Sequence, residues 1–519
     1  MSAYLTPSTP SVSATPLLRL RHATSPATTD FHRLPNELKT MVLSYAASSL
    51  PNCSAPIFLG LVSREWRALT LSIPALWAEV SLNFDSSPNV FNEDAAAKVD
   101  SAFQWLSRAG KQRTTVKIVH LVPKPMYATI GFYSRLYRRL IKKNVTSNLH
   151  QLILDVHPHI LGCILQPLHK CGGCGRLDHL KICNSWNHNN TPGRRHVPEI
   201  LDVAGGKGVY QLLTKLTIFD TSPGAPFIRY FSTARPFVTN LTCLDLGHRQ
   251  VDLGYFAFIH PILERSPQLI TLGLTLPGWA TDSDSATPSV PLTLQHLTEL
   301  RVHVVCPRSA SAPNASLPTD LRPLFRSLTL PSLRSLIVAN GTRDWSPCLL
   351  QVLIDLRCRS QFPLIKFSVE GLELDDVLLV ALLRSRSTLE QLELVGCEID
   401  SEYLLEHMKY NPSLGDSTTG PPQAPFLPRL RAFKLIDTYG ENYDMKASEL
   451  LDVVMSRWNI QDSDPIVKWQ DVTVLIPPLN HLKTWDQRSK EILERFEEQK
   501  GIDVELFEEG TDGMDDVGE

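Results

Sequence analysis

The sequence predicts an α/β fold: a short N-terminal unit of three helices, then a long array of strand-and-helix repeats forming a curved parallel sheet with helices outside it. Three observations lead there. Between Phe31 and Leu82, apolar residues recur at helical spacing, first at Leu38, Val42 and Tyr45 and then at Leu61, Trp66 and Leu69. From Leu149 onward, a leucine, two residues, a leucine, one residue and an aliphatic recur along the chain. The 519 residues are 43% hydrophobic and 20% charged, enough apolar material for a large core.

Residues 1–30 are rich in Ser, Thr and Pro and predict a disordered tail. Helical patterning starts at Leu34. Pro35 stands where a first helical turn tolerates proline, and Glu37 complements the positive end of the helix dipole. Ile73-Pro74 ends the third helix, because the residue before proline is pushed out of helical geometry. The three helices are expected to pack around Leu38, Val42, Leu61, Trp66, Leu69 and Trp77, within a unit spanning 31–82. Residues 83–148 then supply linker helices and a first strand. A helix through Trp105-Leu106-Ser107-Arg108-Ala109 ends at a Gly110 cap, and Val116-Lys117-Ile118-Val119 reads as a strand.

The repeats fill 149–500. Their motifs are Leu149/Leu152/Leu154, Leu177/Leu180/Ile182, Leu213/Leu216/Ile218, Leu241/Leu244/Leu246, Leu269/Leu272/Leu274, Leu297/Leu300/Val302, Leu333/Leu336/Val338, Leu364/Phe367/Val369, Leu389/Leu392/Leu394 and Leu430/Phe433/Leu435. Successive starts lie 28, 36, 28, 28, 28, 36, 31, 25 and 41 residues apart. The last two apolar positions are two apart, so they face the same side of a short strand. One unit cannot bury such a stripe alone, whereas stacked units bury it together. Helices are expected from Asp375 to Leu383 and after Ser346-Pro347, where serine would cap and proline would open the helix. A charged helix from Asp486 to Lys500 is expected to close the array. The segment 501–519 holds eight acidic residues and no Lys or Arg, and reads as a disordered tail.

Taken in order, Leu34-Pro35-Asn36-Glu37-Leu38, Leu61-Val62-Ser63-Arg64-Glu65-Trp66-Arg67 and Pro74-Ala75-Leu76-Trp77 resemble the F-box. The stretch from Trp105 to Gly110 is similar to a helix end common in the F-box proteins of mushroom-type fungi. The resemblance implies docking on a Skp-family adaptor and, through it, on cullin and RING subunits. Leu34, Pro35, Glu37, Leu38, Val42, Leu61, Val62, Ser63 and Trp66 would form or support that interface. The repeats resemble degenerate leucine-rich repeats. Only Cys397 stands cleanly where the regular repeat places Asn or Cys after its strand. Together these resemblances imply the substrate-recognition subunit of a ubiquitin ligase. Such a subunit is cytoplasmic or nuclear, uses no cofactor, is not itself an enzyme, and binds an unknown target protein. The alternative is a repeat scaffold with a vestigial F-box and no role in ubiquitination.

The residue between the last two apolar positions of each motif must point away from the core. This gives Ile153, Lys181, Thr217, Asp245, Gly273, Arg301, Ile337, Ser368, Glu393 and Lys434. Lys181, Thr217, Asp245, Arg301, Glu393 and Lys434 are the candidate target contacts on a concave face. A target held by the loops, with these as ordinary solvated strand positions, is the other possibility. Both charge signs occur in the ribbon and the chain's formal net charge is -3, which argues against a nucleic-acid or anionic-membrane surface. No apolar run approaches the roughly 18 residues of a membrane helix. The ten cysteines, with no secretory signal before them, read as reduced thiols.

Cys171-Gly172-Gly173-Cys174 reads as a turn with incidental thiols. Zinc or redox roles are the alternatives, and zinc would need a second compact pair. Ala204-Gly205-Gly206-Lys207-Gly208 lacks the glycine spacing and hydroxyl residue of a phosphate loop. The basic run of Arg135, Arg138, Arg139, Lys142 and Lys143 reads as a solvated helix face. No catalytic constellation and no metal site are expected.

Overall fold

The computed structural model describes residues 34–49, 55–84, 93–120, 148–156, 161, 164, 176–184, 212–220, 239–248, 255–277, 291–305, 321–340, 349–384, 388–399, 401–410, 425–436, 447–458, 460 and 466–475. The chain divides into two compact units, Met1–Leu76 and Trp77–Glu519.

The first unit contains α1 (Asn36–Ser49), α2 (Ala55–Val62) and α3 (Arg64–Ser72), followed by a 3-10 turn, Pro74–Trp77. Its core is small: Leu43, Leu59 and Ile73, backed by Ala46, Trp66, Leu69 and Leu76. Local bonds set the helix ends. The Pro35 carbonyl accepts from Lys39 N–H at 3.0 Å. Ser63 is extended (φ -157°, ψ 169°), and its hydroxyl accepts from Trp66 N–H at 3.1 Å, the bonding of an N-cap. Arg67 Nε donates to the Gly60 carbonyl at 3.0 Å and so ties α3 back to α2.

The expected core of this unit is corrected in three places. Leu38, Val42 and Leu61 are exposed rather than central. Trp77 belongs to the second unit. The boundary accordingly falls earlier than the expected 82, because Glu79–Phe84 forms the first strand of the large sheet.

The second unit is α/β. Its elements are β1 (Glu79–Phe84), α4 (Glu93–Arg108), β2 (Thr114–His120), β3 (Leu149–Val156), β4 (His179–Asn184), β5 (Lys215–Asp220), β6 (Cys243–His248), α5 (Tyr255–Glu264), β7 (Thr271–Pro277), β8 (Leu292–Thr293), β9 (Glu299–Val305), α6 (Arg322–Arg326), β10 (Leu328–Thr329), β11 (Ser335–Asn340), α7 (Leu349–Ser360), β12 (Lys366–Glu370), α8 (Asp376–Arg384), β13 (Gln391–Val395), α9 (Ser401–Met408), β14 (Ala432–Ile436), α10 (Ala447–Trp458) and β15 (Asp471–Leu475). Thirteen strands form one sheet in chain order, β8 and β10 pair separately, and every named pairing is parallel.

All ten repeat motifs fall on this sheet. Their two inward positions form continuous rows, and no described member from Val80 to Val472 or from Leu82 to Leu435 is more than 6% exposed. Helix residues such as Val99, Ile262, Leu353, Leu379 and Leu405 pack into the same core. Parallel strands joined through helices need this continuous apolar face, because neither layer covers its own. Leu364 departs from the pattern: it is only half-buried, and Phe362, two residues earlier, is buried instead.

A carbonyl ladder holds the turns in step. The Asp178, Thr214, Thr242, Ile270, Thr298, Arg334, Ile365, Glu390 and Arg431 carbonyls each accept two backbone N–H groups from the next unit, at 2.7–3.1 Å. The helix expected from Asp375 to Leu383 forms as α8, and Asp375 caps it, accepting from Leu378 N–H at 2.9 Å. The Ser346-Pro347 start, the 486–500 helix, both terminal tails, the 135–143 basic run, the Cys171/Cys174 pair and the 204–208 turn lie outside the described residues.

Candidate functional site

Two surfaces carry the candidate residues. The first is on the helical unit. Along α1, Lys39, Leu43 and Ala46 face inward, at the i, i+4, i+7 spacing of one helix face. Leu38, Met41, Val42 and Tyr45 face outward, and Tyr45 is 79% exposed. The outward stripe is thus the more apolar one. The inward stripe includes a lysine, whose Nζ reaches Glu65 Oε1 at 3.1 Å. Ile57, Phe58, Leu61, Val62 and Leu71 add to the exposed apolar set, with Leu61 at 66%.

The sequence-predicted interface residues divide accordingly. Pro35, Glu37, Leu38, Val42, Leu61 and Val62 are exposed, and Leu34 is half-buried. Ser63 and Trp66 serve the unit itself, one as a helix cap and the other as backing for the core. Met41, Tyr45, Ile57, Phe58 and Leu71 were not foreseen as surface residues. Helical periodicity gives an apolar stripe but not which of two stripes turns inward.

The second surface is the half-exposed face of the sheet. Strand register places the ten expected outward residues in one row and extends it at both ends. Ser81, Lys117, Ile153, Lys181, Thr217, Asp245, Gly273, Arg301, Ile337, Ser368, Glu393, Lys434 and Thr473 are successive cross-strand partners. The row is not uniformly solvated. Ser368 is buried, and Lys366 Nζ lies 2.6 Å from Glu393 Oε1. Burial works to raise the Glu393 pKa, but hydrogen bonds from Lys366 and Ser368 and the nearby lysine charges bring it below the ordinary value. Arg301 Nε is held by Glu299 Oε1 on its own strand at 2.5 Å.

Asp245 makes no hydrogen bond or ion pair among the described residues. Burial raises its pKa, against the opposing charges of Arg301 and Lys181. A Cβ on Gly273 would lie 2.6 Å from Asp245 Oδ1, and one on Gly247 would collide with Phe219 Cδ1. Asp245 and Phe219 therefore lean over strand positions that have no side chain. His179 Nδ1 is 3.0 Å from Gln151 Nε2; burial, then the Lys215 charge, lowers its pKa.

Within the second unit, Trp77 packs against the Trp-Leu-x-Arg segment. The Trp77 and Trp105 ring centroids are 4.7 Å apart at 66°, and the Arg108 guanidinium lies 4.5 Å over Trp77. Trp77, Trp105 and Arg108 thus form one packed aromatic and cationic cluster.

Among the described residues no group of three or more His, Cys, Asp or Glu could hold a metal ion. No described helix is long and apolar enough to cross a membrane. No family model matches the chain, and no curated protein is significantly similar to it.

Proposed function

We propose that the chain is a substrate receptor of a Skp–cullin–F-box ubiquitin ligase. The first unit is the F-box and docks on the Skp-family adaptor. The strand-and-helix array is a degenerate leucine-rich-repeat solenoid that holds a target protein. Ubiquitin transfer belongs to partner subunits, and the receptor acts by raising the target's effective concentration near them, in the cytoplasm or nucleus.

The observation that carries this reading is the inverted α1, which turns Leu38, Met41, Val42 and Tyr45 outward while burying Lys39. A helix serving only its own unit buries its more apolar stripe. Nine exposed large apolar side chains lie on three short helices. Covering them, at roughly 1–2 kcal/mol each, gives a gain comparable to an association cost of about 4–15 kcal/mol. Solvent-facing residues of both signs across the sheet favour a protein target over a polyanion.

Co-purification with a Skp-family adaptor tests the reading. A stoichiometric complex of the full chain is expected. Folded protein that binds no adaptor under gentle conditions would overturn it.

A further inference from the structure

In the central row of the open sheet face, charges fall on alternate strands. Lys117 on β2, Lys181 on β4, Asp245 on β6 and Arg301 on β9 are each two strands apart, with Ile153, Thr217 and Gly273 between them. Two strand spacings are about 10 Å, close to the roughly 9 Å of one three-residue turn of polyproline-II chain, in which every third side chain shares a face. Small or apolar side chains between the charges leave room for another backbone.

Arg301 is already engaged by Glu299. Asp245 makes no hydrogen bond or ion pair among the described residues, and only the charges of Arg301 and Lys181 act on it. Gly273 lets its carboxylate tilt into the place of the missing side chain, where burial works against its charge. A half-buried carboxylate without a donor is costly, and a cationic donor from outside forms the strongest bond it can accept. The Phe219 ring, lying over Gly247 on the neighbouring strand, offers apolar contact beside it.

We infer that β2–β6 bind a segment of a partner protein in polyproline-II conformation, running across the strands. Two acidic side chains meet Lys117 and Lys181, and a basic side chain three residues further on meets Asp245. Asp245 is the specificity-determining contact, and Gly273 positions it. This rests on the reading that the open face holds the target, and names the chemistry of that target.

The test uses the full chain and a labelled, end-capped peptide, Asp-Ser-Ala-Asp-Ser-Ala-Arg, at low ionic strength. Controls carry citrulline for arginine, or Lys, Lys and Asp for the three charges. The expected result is binding of the first peptide, weakened about tenfold by Asp245→Asn or by citrulline, and no further when both are combined. Gly273→Ala, which keeps every charge but displaces the carboxylate, weakens it similarly. Melting curves establish that each variant is folded. Equal binding of the charge-inverted peptide, or unchanged binding by both folded variants, would overturn the inference. Adaptor capture on the same samples separates the two proposals: capture retained without peptide binding removes this locus alone.

Discussion

Leu43 in α1 and Leu216 in β5 are both fully buried, but their surroundings differ. Leu43 belongs to a core of three buried residues, within a unit whose other apolar side chains largely face solvent. Leu216 sits in a row of buried residues crossing thirteen strands, backed by helices along the sheet. The sheet unit thus spends its apolar residues on itself, while the helical unit holds many in reserve on its surface. An apolar residue therefore has a different meaning in each unit: stability in the sheet and, on the proposed reading, contact with another molecule in the helices.

Substitutions can break that contrast, and the largest effect is expected inside the sheet. Leu216→Ala should cost about 2–5 kcal/mol, read as a lower denaturation midpoint. Arg457→Ala should cost roughly 3 kcal/mol by the same measurement. Arg457 is 1% exposed, and its guanidinium donates to the carbonyls of Met408 at 2.9 Å, Leu427 at 3.0 Å and Phe426. Without it, those carbonyls lose their partner in the interior.

Cys397 should give the sheet an alkaline limit. Burial pushes its thiol from 9.0 up to about 11, against hydrogen bonds with the backbone of Leu372, Val395 and Gly371. Folding therefore favours the protonated thiol. That contribution is complete below pH 9 and is lost as pH rises through about 11, on the order of 2 kcal/mol. Stability measured from pH 8 to 11 should fall by that amount, and Cys397→Ala should remove this part of the fall. In the helical unit, Ser63→Ala should cost about 1 kcal/mol through the lost cap, seen as a lower melting temperature.

The sheet was legible because each repeat states its inward positions twice, two residues apart, and neighbours repeat the statement. That redundancy located ten of the thirteen strands and, through the residue between, the outward row. β1 and β15 lack the leading leucine, so Val80, Leu82 and Val472 carried no repeat signal of their own. Cys397 was readable as the turn residue of the best-formed unit, and its Sγ reaches the Val369 carbonyl at 3.4 Å. Arg457 was not, since an arginine in the last turn of a helix looks solvated. Its one hint is a parallel: Arg359, also the penultimate residue of its helix, donates to the Phe325 and Leu328 carbonyls of the preceding unit. The helical unit was legible in its elements but not in its sidedness. Leu38 and Leu43 are equally apolar, and only packing decides which is covered.

The smallest effect on stability is expected where the effect on binding is largest. The paired substitution Leu38→Asp with Val42→Asp lies on the exposed stripe and should shift unfolding by no more than about 0.5 kcal/mol per site. Measured on the same preparation, it should abolish the co-elution with a Skp-family adaptor that the account predicts for the unsubstituted chain. Co-elution that survives the double substitution, in protein that unfolds at the unsubstituted midpoint, would contradict the account.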